Sequence, residues 1–156
     1  MDHHHVPTVL SDRAQPNFDI CVRQRLAIDV DYNKTQDYNF YTTKRAFMVK
    51  HFSYFHRPGS VRYDVPQAQL PFGVNAVSSA QETGEKSTWS VLFMNNQTTS
   101  FEMSLQVSCR GGKLAKIVET TNENDWKNVS PLPEAKDGEV VLTVPNESLV
   151  TAQFTC

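Results

Sequence analysis

The sequence predicts an all-β protein, an antiparallel β-sandwich or flattened β-barrel of eight to ten strands. Three stretches carry that expectation. In Phe101–Cys109, FEMSLQVSC, apolar Phe101, Met103, Leu105, Val107 and Cys109 alternate without exception with Glu102, Ser104, Gln106 and Ser108. That is the period of a strand with one buried and one wet face. Phe18, Ile20, Val22, Leu26, Ile28 and Val30 share one parity, broken by Gln24, and their β-branched members disfavour a helix. Val150, Ala152, Phe154 and Cys156 alternate with Thr151, Gln153 and Thr155.

In chain order, residues 1–16 hold two prolines and the His3–His5 run, which looks like a tag remnant, and they read as a flexible tail. Residues 17–156 read as a single β domain, of a size that can bury a core. After a first strand from Phe18 to Val30 comes a polar turn. Tyr38–Phe55 is long and aromatic, and its parity changes between Phe47-Val49 and Phe52-Tyr54. As a strand it needs a bulge, or burial on both faces, near His51. Arg57-Pro58-Gly59-Ser60 is a turn, Val61–Val65 a short edge strand bounded by prolines, and Phe72–Val77 a further strand. Ser78–Thr88 reads as a polar loop. Thr88–Met94 is expected to pair with Phe101–Cys109, itself the central strand of a meander. Gly111-Gly112 suits a tight primed turn into a strand over Lys113–Thr120. Asn122–Gly138, with Trp126 and two prolines, is the longest structureless stretch. Glu139–Val144 and Leu149–Cys156 form a last hairpin.

The net charge of −2 argues against nucleic acid or a membrane surface as partner, and no apolar run is long enough to span a bilayer. No leader is visible at residues 1–5. The sequons at Asn33, Asn96, Asn128 and Asn146, in a short chain with three cysteines, nevertheless favour a secreted protein whose leader was removed. Cys109 and Cys156 each end the apolar face of a strand, so a disulfide between them is expected. Cys21 lies on the opposite parity, so it is expected free, or in an intermolecular bond joining a homodimer.

No metal-ligand spacing, phosphate loop or nucleophile motif is found, so neither metal, cofactor nor catalysis is expected. His51 and His56, five apart, would face opposite sides of a strand. Asp29 and Asp31 share a face of an extended chain, which suits a solvated strand end better than acid–base work in a hydrolase. Trp126, in a loop with Asn124 and Lys127, is a plausible anchor for a protein or sugar; its bland reading is a plug folded over the sheet edge. Arg57, Arg62 and Tyr63 form a second candidate patch.

Residues 46–156 resemble the secreted fungal proteins grouped with the major Alternaria allergen. The likeness lies in Phe47-Met-Val-Lys-His-Phe-Ser-Tyr54, Leu70-Pro-Phe-Gly-Val74, Cys109 at a strand end, and Leu142-Thr-Val with Phe154-Thr-Cys156. The resemblance implies a cysteine-stapled β-barrel or sandwich without known catalysis, acting as an effector that binds a host or cell-surface protein. The alternative is a carbohydrate- or cell-wall-binding module.

Overall fold

The computed structural model describes residues 26–29, 39–84, 86–106, 112–136 and 139–156. The fold is mostly antiparallel β, as expected, in a sandwich-like arrangement. Strands β1 (Leu26–Asp29) and β2 (Asn39–Thr42) pair with each other and lead into helix α1 (Lys44–Phe55). There follow β3 (Val61–Tyr63), β4 (Val74–Thr83), β5 (Lys86–Asn95), β6 (Phe101–Gln106), β7 (Lys113–Thr120), β8 (Lys127–Asn128), β9 (Glu139–Val144) and β10 (Ser148–Thr155). A six-stranded sheet has the order β3-β4-β5-β10-β7-β8, and β6 pairs with β9 in a second sheet.

The two sheets bury a dry layer. Register pairs Phe101 with Val144, Met103 with Leu142 and Leu105 with Val140, so one face of the β6–β9 pair is wholly apolar. It packs on Ala76, Phe93, Ile117, Val150, Ala152 and Phe154 of the larger sheet. Each large side chain buried there contributes about 1.5–3 kcal/mol. The strict alternation of β6 and β10 is therefore explained, since a slip of one residue would expose this whole set.

Several pairings differ from expectation. β6 is not central to a meander but belongs to the smaller sheet. β5 pairs with β4 and β10 rather than with β6. β9 and β10 form an arch between layers instead of a hairpin. One buried side chain holds the arch. Buried Asn95 donates through Nδ2 to Thr99 O (2.9 Å) and Pro145 O (2.7 Å), and its Oδ1 accepts from Gln97 N (2.9 Å). One amide thus ties both corners where the chain changes sheets, β5 to β6 and β9 to β10. Ser78–Thr83 is strand rather than polar loop: it completes β4, with Ser78, Ser79 and Ala80 buried. The β4–β5 turn has Gly84 at φ +64, a conformation suited to glycine.

The largest correction is α1. Lys44–Phe55 is a helix, not a bulged strand. Phe47, His51 and Phe55 recur every four residues, and His51 and Phe55 are buried. The parity change that suggested a bulge was the trace of a 3.6-residue period. The helix lies on the face of the six-stranded sheet opposite β6–β9, giving three layers.

Candidate functional site

Residues paired across antiparallel strands share a face. On the helix side this places Gln81, Ser79 and Val77 of β4 beside Thr88, Ser90 and Leu92 of β5 and Thr155, Gln153 and Thr151 of β10. This face mixes hydroxyls and amides with buried Leu92, Val118 and Leu149. α1 covers part of it through His51, which is fully buried: Nδ1 lies 2.7 Å from Thr151 Oγ1 and Nε2 3.0 Å from Thr120 Oγ1. Thr120 Oγ1 also accepts from Trp126 N (3.3 Å). In either tautomer of the neutral ring, one threonine hydroxyl donates to it and the other accepts its N–H, so both ring nitrogens are satisfied. Burial, together with the charges of Lys50 and His56, pushes the His51 pKa down to about 4. It stays neutral at pH 7 and serves as the pin between helix and sheet.

Beyond the C-terminal end of α1 the polar rows are open. A groove of about 270 Å³ is lined by Tyr54, Phe55, Arg57, Gln81, Thr88, Ser90, Gln153 and Thr155. Gln81, Thr88 and Thr155 form one row across three strands, and Ser90 and Gln153 lie in the next, with Gln153 Nε2 donating to Ser90 Oγ (3.4 Å). Arg57 Nε donates to Tyr54 O, and its guanidinium lies 5.6 Å from the Tyr54 ring centre. Lys116 approaches the same ring at 5.0 Å. Such a surface offers amides, hydroxyls and one guanidinium beside aromatic walls, which suits a neutral, hydroxyl-rich ligand.

The site residues expected from sequence are scattered. Trp126 (φ +56) folds back on α1, stacked on Phe55 at 5.7 Å and tilted on His51 at 4.8 Å, with Lys50 Nζ 4.1 Å from its ring centre. Asn124 turns onto Thr121 Oγ1, Lys127 pairs with Glu119 at 2.9 Å, and Lys44 holds Asp125 at 2.5 Å. Of the second patch, Arg57 lines the groove. Arg62 lies on the edge strand β3, where Tyr63 turns to the opposite face and meets Trp89 at 4.6 Å. Asn96, Asn128 and Asn146 are exposed. Asn33, Asp31, Cys21 and Cys109 lie outside the described residues, whereas Asp29 closes β1. Cys156 is disulfide-bonded, to a partner that also lies outside them. His51 and His56 point to different strands, His56 Nδ1 lying 2.7 Å from Ser79 Oγ. Among the described residues, no cluster of potential metal ligands is present, and no helix is long and apolar enough to cross a membrane.

Sequence reasoning missed Gln81, Thr88, Ser90, Gln153 and Thr155. A faint signal existed. Thr88, Ser90, Thr151, Gln153 and Thr155 are alternate polar residues of β5 and β10 that carry no charge, whereas a solvated face such as that of β6 carries Glu102.

No protein-family model matches the chain, and no curated protein matches it in sequence. Solved structures do match in fold. The catalytic domain of a family 30 glycoside hydrolase, xylanase C from Talaromyces cellulolyticus, superposes with a TM-score of 0.61 at 21% identity over 76% of this chain. A glycoside hydrolase family 30 subfamily 8 xylanase from Clostridium acetobutylicum gives 0.59 at 19% identity over 74%. A conserved exported protein from Bacteroides fragilis gives 0.55 at 17% over 83%. The matched region spans only 25%, 29% and 26% of those three chains. These are likenesses of fold to part of larger proteins. They correct the expectation of a chain set apart from enzymes, since two of these neighbours are xylanases. Nothing in them favours an effector that binds a host protein.

Proposed function

We propose that this chain is the β-sandwich portion of a carbohydrate-active protein and that it holds a neutral polysaccharide in the groove at the end of α1. The observation that carries this is the lining: Gln81 and Gln153 amides, the hydroxyls of Thr88, Ser90, Thr155 and Tyr54, and a single charged group, Arg57. Amides and hydroxyls both donate and accept, which matches sugar hydroxyls, and the exposed ring of Tyr54 suits the apolar face of a sugar ring. The fold shared with xylanases supports the same reading and makes xylan the first polymer to try. A secreted setting belongs to the proposal, supported by exposed Asn96, Asn128 and Asn146 in acceptor motifs.

Affinity electrophoresis in soluble xylan and in other neutral polysaccharides tests it. Retardation is expected, with Gln153→Ala and Gln81→Ala each weakening it about tenfold, the loss of one or two hydrogen bonds. A reducing-sugar assay on the same polymers shows whether hydrolysis accompanies binding. Absence of retardation in every polymer, or equal retardation of the variants, would refute the groove as the site.

A further inference from the structure

A second pocket lies on the other side of the helix end, between α1 and the β3–β4 edge. It holds about 140 Å³ and is lined by Phe52, His56, Arg57, Ser60, Arg62, Val77, Ser78 and Ser79. Among the described residues, two buried polar atoms here have no hydrogen-bond partner, His56 Nε2 and Ser60 Oγ. Such atoms are rare in a settled core and call for an occupant. The sequence builds the arrangement locally. Pro58 and Gly59 (φ +89) form a turn closed by Ser60 N to Arg57 O at 3.0 Å, which returns Ser60 towards His56. Arg62 pairs in register with Ser79, the residue that contacts His56 Nδ1, so it rises on the same face. In the tautomer where the Ser79 hydroxyl donates to Nδ1, and equally in the protonated ring, Nε2 carries a proton without an acceptor.

We infer that this pocket binds a compact oxyanion, a phosphate, sulfate or carboxylate group, held by His56 Nε2–H and Ser60 O–H between the guanidiniums of Arg57 and Arg62. The lining contains two guanidiniums and no carboxylate, and charge-assisted N–H donors are the usual partners of such groups. The volume exceeds the roughly 30 Å³ share of a single water. Burial lowers the His56 pKa; a bound anion would act in the opposite direction. The inference does not rest on the carbohydrate reading. Because Arg57 also borders the groove, Arg62 is the residue to vary.

The test follows the His56 ring resonances of the full chain by NMR during titration with sodium sulfate, phosphate or acetate, at an ionic strength held constant with sodium chloride. A saturable shift and a raised His56 pKa are expected. Arg62→Gln and Ser60→Ala should each weaken the response about tenfold while leaving xylan retardation unchanged. Preference for sulfate and phosphate would mark a tetrahedral group, and preference for acetate a carboxylate; either supports the site. A shift that does not saturate, that sodium chloride alone reproduces, or that Arg62→Gln leaves intact would overturn it.

Discussion

The two faces of the six-stranded sheet are filled differently. Under the β6–β9 pair lie Phe93, Ile117, Val150, Ala152 and Phe154, packed on Val140, Leu142 and Val144. Under α1, buried Leu92, Val118 and Leu149 alternate with the hydroxyls of Ser79, Thr120 and Thr151, and a buried histidine pins the last two. The first face is held by area and shape, insensitive to pH. The second adds to its apolar contacts a few hydrogen bonds that need one protonation state. The difference teaches that burial and apolarity are separate properties: a sheet face can be covered and still polar, provided its hydroxyls find partners.

The largest expected effect breaks the dry face. Phe93→Ala, at a position 1% exposed, should cost about 4 kcal/mol through lost burial and the cavity left behind. Urea unfolding at pH 7 and pH 4.5 should give the same difference from wild type at both.

On the polar face, His51→Ala removes the partner of two buried hydroxyls and should cost about 3 kcal/mol at pH 7. It should also flatten the pH dependence of stability. His51 titrates near 4 in the fold against 6.5 in the open chain. Between those values the unfolded state binds the proton and the native state does not, so stability is full above pH 6.5 and falls as pH drops towards 4. The loss approaches about 3 kcal/mol for a shift of this size. Partly buried His56, its pKa lowered by burial, acts in the same direction. Chemical unfolding from pH 7 to pH 4 measures this. A wild-type curve no steeper than that of His51→Ala would show that the pin is not the source.

A smaller effect is expected at Trp126, half-buried against Phe55 and His51. Trp126→Ala should cost about 1–2 kcal/mol, the value of its stacking and partial burial, and should expose His51 to solvent and raise its pKa. Unchanged stability together with weakened ligand binding would restore Trp126 as an outward anchor. The smallest effect on stability is expected at the open end of the polar face. Gln153→Ala should change stability by less than about 0.5 kcal/mol, as surface substitutions do, while weakening xylan retardation. A thermal scan separates the two.

How much was legible beforehand follows the same division. The parity of Phe101–Gln106 told which side chains enter the core, and the register with β9 agrees at every position. The helix was not legible as one because its sheet-facing stripe is Phe47, His51 and Phe55: a histidine at the centre, aromatic neighbours all round, and β propensity to match. The groove was not legible because Gln81 read as loop, Thr88 as the junction of loop and strand, and Gln153 and Thr155 only as the polar parity of the last strand. Those residues become a site only when three strands align them.

The sequence by itself determined the all-β class, the inward parity of β6 and β10, and the edge position of β3, because a period of two is written locally in each strand. Which strands pair was decided by the tertiary structure. β6 joins β9, and β10 lies between β5 and β7, because two alternating strands in sequence can form a hairpin or an arch with the same pattern. The choice is made by long-range contacts such as Asn95 to Pro145 O, 50 residues apart. The same holds for the pin, where His51 meets Thr151 across 100 residues and Thr120 across 69: a neutral buried histidine is stable only where both hydroxyls arrive, and no local pattern encodes their arrival.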